Sequence, residues 1–182
     1  MNYCDYTATL PPDNPHRRYH DHEYGYPVAD DNRLFERLVF EINQAGLSWT
    51  TILNKADNLR RAYDGFDIAR VAAYGEADTA RLLADAGIIR NRRKIEAAIH
   101  NARVIQALQA AHGSFRAWLD AQACADKAAW VKLFKQTFTF TGGEITGEFL
   151  TSCGYLAGAH RPDCPVYGRV LAARPRWLAD GA

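Results

Sequence analysis

The stretch RLVFEINQAGLSW, residues 37–49, contains the transition on which the fold depends. Laid on a helix at about 100° per residue, Leu34, Leu38, Glu41 and Ala45 fall within about 60° of arc. Helical spacing begins after Asp30-Asp31-Asn32, which supplies an N-cap and a negative first turn, and runs to a stop at Gly46. Ser48 then caps a second helix through Tyr63, carrying Ile52, Leu53, Leu59 and Ala62. Glu41 therefore occupies the middle of an apolar stripe, where leucine would serve stability better. A buried carboxylate needs partners. A neighbouring helix N-terminus or an arginine satisfies it structurally; a bound ligand satisfies it functionally.

Outward from this pair the periodicity stays helical. A short helix covers IARVAAY, and EADTARLLADAG closes on Gly87. The basic stretch IIRNRRK leads into a long Ala-rich helix to about Ala111. Ser114 caps FRAWLDAQ, and helices follow over about 126–137 and 144–153. KQTFTFTGG alternates briefly and suits a short extended piece, but no sheet is evident. The expected class is all-α, a single domain over 1–182. Its helical core spans 31–153, and 1–30 and 154–182 are ordered, irregular segments rich in turn residues and tyrosines.

A chain of 182 residues is long enough to bury a substantial core. No apolar run approaches the roughly 20 residues that span a bilayer, and the N-terminus lacks the layout of a secretory signal, so the expectation is a cytoplasmic protein without a membrane partner. A net charge of +1 argues against binding through bulk charge but leaves local patches open. Four cysteines in such a compartment read as buried thiols or metal ligands before disulfides.

YHDHEYG at 19–25, FEINQAGLSW at 40–49 and DAGIIRNRRKI at 85–95, with Cys4 and the HRPDC of 160–164, together resemble the DNA-3-methyladenine glycosylase I family. This is the zinc-containing branch of the helix-hairpin-helix glycosylases, and the resemblance runs nearly end to end. It implies that Glu41, Tyr19 and Trp49, with Tyr6 and Tyr24, line a pocket for a damaged base turned out of double-stranded DNA. The chemistry agrees. A 3-methylated adenine is a delocalised cation, which an indole face attracts and a carboxylate among apolar neighbours balances. An enzyme acting on a base must take it out of the stack. The resemblance further implies that Gly46 and Leu47 wedge into the vacated gap, and that Gly87, Arg90, Arg93 and Lys94 grip the backbone at a helix N-terminus. The bland readings are a helix stop followed by a core leucine, and a solvated charged face.

Cys4, His20, His160 and Cys164 make a donor set suited to tetrahedral zinc, and the resemblance implies one ion tying both ends of the chain together. With four protein ligands it is structural and activates no water. The implied enzyme is monomeric and monofunctional: water is the nucleophile and no strand is cut, since the recognised strings offer no compelling Schiff-base lysine. Tyr6 and Tyr24 stand where this family often has tryptophan. TFTGGEITGEFLTSCG departs from its hydroxyl-rich pattern, and Gly142-Gly143-Glu144 brings a second carboxylate toward the far side of the implied pocket. Two other readings stand beside this one. A zinc-dependent hydrolase would use His20 and His22 of HDHE, and a non-catalytic relative would bind DNA damage without releasing the base.

Overall fold

The computed structural model describes residues 2–124 and 126–179. Residue 125 and both extreme ends, including part of the expected 154–182 segment, lie outside the described residues. Among those described, the secondary structure is entirely helical. The chain divides into two compact units, Met1–Val28 with Gly147–Ala182, and Ala29–Thr146.

In the second unit α3 (Asp31–Gln44) follows the N-cap Asp30, whose side chain accepts from the Arg33 N–H. Its residues 34–43 are all buried, so the expected single stripe is a helix enclosed on every side. Ala45 is the C-cap, beyond the last turn. Around α3 pack α4 (Trp49–Ala62), α5 (Ile68–Ala72), α7 (Arg92–His112) and α8 (Phe115–Asp120). Phe66 is fully buried and touches the rings of Phe35, Phe40 and Tyr63 at centroid distances of 5.4–6.0 Å. Burying one such ring stabilises by roughly 1.5–3 kcal/mol.

Enclosure forces the charges on α3 to be answered. Arg33 Nη1 donates to both Glu36 oxygens at 2.7 Å, and Arg60 of α4 donates to Glu36 Oε1 through Nε and Nη2 at 3.1 and 2.8 Å. The Arg60 guanidinium also lies over the Phe40 ring. Asp31 accepts from the Phe115 and Arg116 amides and from Gln109 Nε2, so a carboxylate of α3 caps α8.

α6 (Glu76–Ala84), a turn and α7 form the hairpin expected at 85–95. Asp85 Oδ1 accepts from the Gly87 amide at 2.7 Å, and the Gly87 carbonyl accepts from Lys55 Nζ and Asn58 Nδ2. A Cβ on Gly87 would stand 2.9 Å from Asp85 Oδ1, which explains the glycine. After α9 (Lys127–Thr137), the expected extended piece forms no strand. The Asn101 side chain instead pairs with the Thr139 backbone N–H and carbonyl.

The first unit corrects the expectation of irregular ends. α1 (Tyr3–Ala8) is capped by Asn2, and α2 (Pro15–His22) by Asn14 with Pro15 at its first position. α11 (Tyr167–Ala172) and α12 (Arg176–Ala179) follow near the C-terminus. The helices are too short to show periodicity, although Asn-Pro is a start signal. α10 (Gly143–Ser152) runs across the division between the units at Thr146. No helix among the described residues is long and apolar enough to cross a membrane.

Candidate functional site

Glu41 lies in the last turn of α3 and is 6% exposed. An anion at that end opposes the helix dipole, and burial adds to the cost. Arg37, one turn earlier, is buried with it. The chain leaves the helix at Ala45, and Gly46 takes a φ of +79°, a left-handed value natural to glycine. Leu47 follows, its amide donating to Gln44 O at 2.7 Å and its side chain 42% exposed. Ser48 then caps α4 by accepting from the Thr51 amide, and Trp49 is the first helical residue. Within nine residues the fold brings a buried acid, a projecting aliphatic side chain and an indole into succession.

On the hairpin, Arg90 and Arg93 are exposed, and the Arg93 guanidinium lies 5.9 Å from the Phe140 ring centre. Arg92 pairs with Glu76 and Glu96. Lys94 corrects the sequence expectation of a backbone-gripping cation. It is buried, and its Nζ donates to Asn43 O at 2.8 Å and Ala45 O at 2.6 Å. The ammonium is held by the protein's own carbonyls and is not presented to a phosphate.

In the other unit, Cys4, His20, His160 and Cys164 come together with all four side chains buried and one ligand atom of each within 4.8 Å of the rest. His160 Nδ1 lies 3.2 Å from His20 Nε2, Cys164 Sγ lies 3.7 Å from both of those nitrogens, and Cys4 Sγ lies 3.9 Å from His160 Nδ1. The remaining ring nitrogens are also held: His20 Nδ1 is 2.7 Å from Asp21 Oδ1, and His160 Nε2 is 2.8 Å from Tyr24 O. Such outer partners orient ligating imidazoles. Burial pushes the Cys4 thiol up and the His160 imidazole down, the latter toward the neutral, ligating form. Burial pulls Asp21 upward, but hydrogen bonds from His20 and Arg17 hold it below the usual carboxylate range. The set can hold a metal ion. His22 is exposed, and two positions along one helix from His20 it faces the other way, so the hydrolase reading through HDHE does not stand.

The tyrosines of this unit build a wall around the cluster. Tyr19 is buried on α2 and its ring centre lies 5.6 Å from that of Tyr24, which meets His160 edge-on at 5.7 Å. Tyr3 packs on Tyr6, His20 and Tyr24, while Tyr6 keeps 37% of its surface exposed. Tyr24 Oη donates to Glu148 at 3.4 Å. Glu144, the second acid singled out in sequence, is exposed beside Lys127 instead. The sequence reading therefore missed Tyr3, Asp21 and Glu148. Asp21 was signalled by its place beside a candidate ligand, whereas Glu148 carried no local signal.

The chain is similar to known proteins over most of its length. The methyladenine glycosylase family profile matches residues 10–167. DNA-3-methyladenine glycosylase 1 of Escherichia coli (strain K12) is 36% identical over 168 residues, covering 82% of this chain and 89% of its own. The DNA-3-methyladenine glycosylase of Haemophilus influenzae is 31% identical over 166 residues, covering 81% and 89%. A Staphylococcus aureus structure describing 3-methyladenine recognition by 3-methyladenine DNA glycosylase I superposes with a TM-score of 0.79 at 30% identity, over 91% of this chain and 96% of that one. The chain belongs to the methyladenine glycosylase family.

Proposed function

We propose that this protein is a base-excision repair glycosylase, acting as one enzyme domain, that turns 3-methyladenine out of double-stranded DNA and hydrolyses its N-glycosidic bond. The observation that carries the reading is Glu41, a carboxylate kept buried at the unfavourable end of α3 and followed at once by Gly46-Leu47 and Trp49. Methylation at N3 gives adenine a positive charge and makes it a good leaving group, so little acid assistance is needed. Selection is the task. Glu41 offers a counter-charge and acceptor to the cationic base, Trp49 offers an electron-rich face, and a neutral adenine gains less from both. Leu47 fills the gap that the flipped nucleotide leaves, and Gly87 with Arg90 and Arg93 holds the backbone.

The metal is zinc. Two cysteines and two histidines, with the far nitrogen of each ring held by an outer partner, suit zinc. Cys4, His20, His160 and Cys164 would hold it through all four positions, so it would fasten chain segments and activate no water. With Lys94 Nζ engaged by two carbonyls, water is the nucleophile and an abasic site is the product. The enzyme works as a cytoplasmic monomer.

The test is incubation with methylated duplex DNA and chromatographic identification of each released base. Free 3-methyladenine, with strands intact until heat or alkali is applied, is the expected result. Absence of base release overturns the glycosylase reading, and spontaneous nicking overturns the monofunctional one.

A further inference from the structure

Lys94 is a buried cation for which the reaction above has no use. Its backbone amide donates to Asn91 Oδ1, the N-cap of α7, while its ammonium reaches the carbonyls of Asn43 and Ala45. One residue thus belongs to the first turn of the hairpin helix and to the exit of α3. Asn43 is itself buried, with its side-chain amide donating to Val39 O. Helix C-termini leave carbonyls unpaired, and water or a neutral amide satisfies them at less cost than a buried ammonium. A cation is favoured at that end by the dipole, yet burial still pulls the Lys94 amine below its usual value.

The two carbonyls it holds straddle the last helical residue, Gln44. Asn43 O belongs to the helix, whereas Ala45, at ψ 114°, has left it. Fixing both atoms fixes the direction in which the chain departs. The next residues are Gly46, where a Cβ would meet nothing within 4 Å, and the exposed Leu47. The Leu47 amide donates to Gln44 O at 2.7 Å, and the residue stands out into solvent.

We propose that Lys94 is a positioning residue for base excision: by clamping the exit of α3 to the first turn of α7, it sets the direction of the Leu47 wedge relative to the hairpin. It touches neither the base nor the phosphate. The inference rests on Gly46-Leu47 being the wedge, as proposed above. A wedge that is already aimed loses less conformational freedom when it enters the stack, so the clamp lowers the barrier to flipping in a duplex and leaves binding of the free base alone.

The experiment is a mutant cycle on single-turnover excision from a duplex containing 3-methyladenine, using wild type, Leu47→Ala, Lys94→Met and the double variant. Free 3-methyladenine binding and amide hydrogen exchange are measured on each. Lys94→Met is expected to slow duplex excision by roughly tenfold or more, the scale of one lost charge-assisted hydrogen bond. It should leave free-base affinity within about twofold and speed exchange selectively at Gly46 and Leu47. The double variant should be no slower than the slower single one. Multiplying effects, or a folded Lys94→Met with undiminished duplex excision, overturn the inference. Should Lys94→Met not fold, the same cycle with Lys94→Gln, which removes the charge and can reach at most part of the clamp, decides by the same criterion. An undiminished Leu47→Ala instead defeats the wedge reading, and a wild type that releases no base defeats the glycosylase reading.

Discussion

Replacing Glu41 with glutamine is the most direct test of the electrostatic argument. The substitution keeps shape and one acceptor oxygen but removes the charge. A carboxylate and a cationic base about 4 Å apart attract by about 4 kcal/mol at an effective dielectric of 20. The base gives up hydration on entry and the amide dipole retains part of the interaction, so about 3 kcal/mol is the expected loss, or roughly a hundredfold in rate. Single-turnover release of 3-methyladenine from duplex DNA measures it, beside release of a neutral lesion, which should slow much less. Thermal unfolding of the same preparation separates the causes. A Glu41→Gln protein that excises within about threefold of wild type refutes the reasoning, and so does one that loses both lesions equally.

The metal set predicts that Cys164→Ser abolishes stoichiometric zinc and lowers the melting temperature by roughly 10 °C or more, while His22→Ala retains the ion; atomic absorption and calorimetry check both. Glu36→Ala strands two arginines that stay partly in water, so about 2 kcal/mol of stability should be lost, read as a melting shift of roughly 6 °C. Burial holds the His16 imidazole below its ordinary 6.5, so the unfolded chain takes up that proton first. Stability should therefore fall as pH drops from about 6.5 through the folded value and then level off, and His16→Gln should shallow that slope in melting curves taken from pH 7.5 to 5.

The helical succession around residues 31–63 was legible because caps and periodicity coincide there: Asp30 and Ser48 cap the two helices as read. The oddity of Glu41 was legible for the same reason, since a pattern must be regular before an exception shows. The full enclosure of α3 was not, because it depends on α4, α5, α7 and α8 arriving from later in the chain. Lys94 deceived for a related reason. Among Arg90, Arg92 and Arg93 it reads as one more surface charge, and only the tertiary fold sets it against carbonyls about fifty positions earlier. The metal set was visible as donor types, yet its closure across 140 residues between His20 and His160 came from the resemblance and not from spacing. Tyr24 and Glu148 meet across a similar interval, so the acid beside the tyrosine wall had no local signal in the sequence.

That interval has a consequence during synthesis. A ribosome adding about 5–20 residues per second needs roughly 7–28 s to travel the 140 positions from His20 to His160. Throughout that time Cys4 and His20 exist without their later counterparts, while every residue of the Ala29–Thr146 unit is being made. The clasp thus cannot close until Cys164 has been added, and early thiol chemistry at Cys4 would find it unprotected.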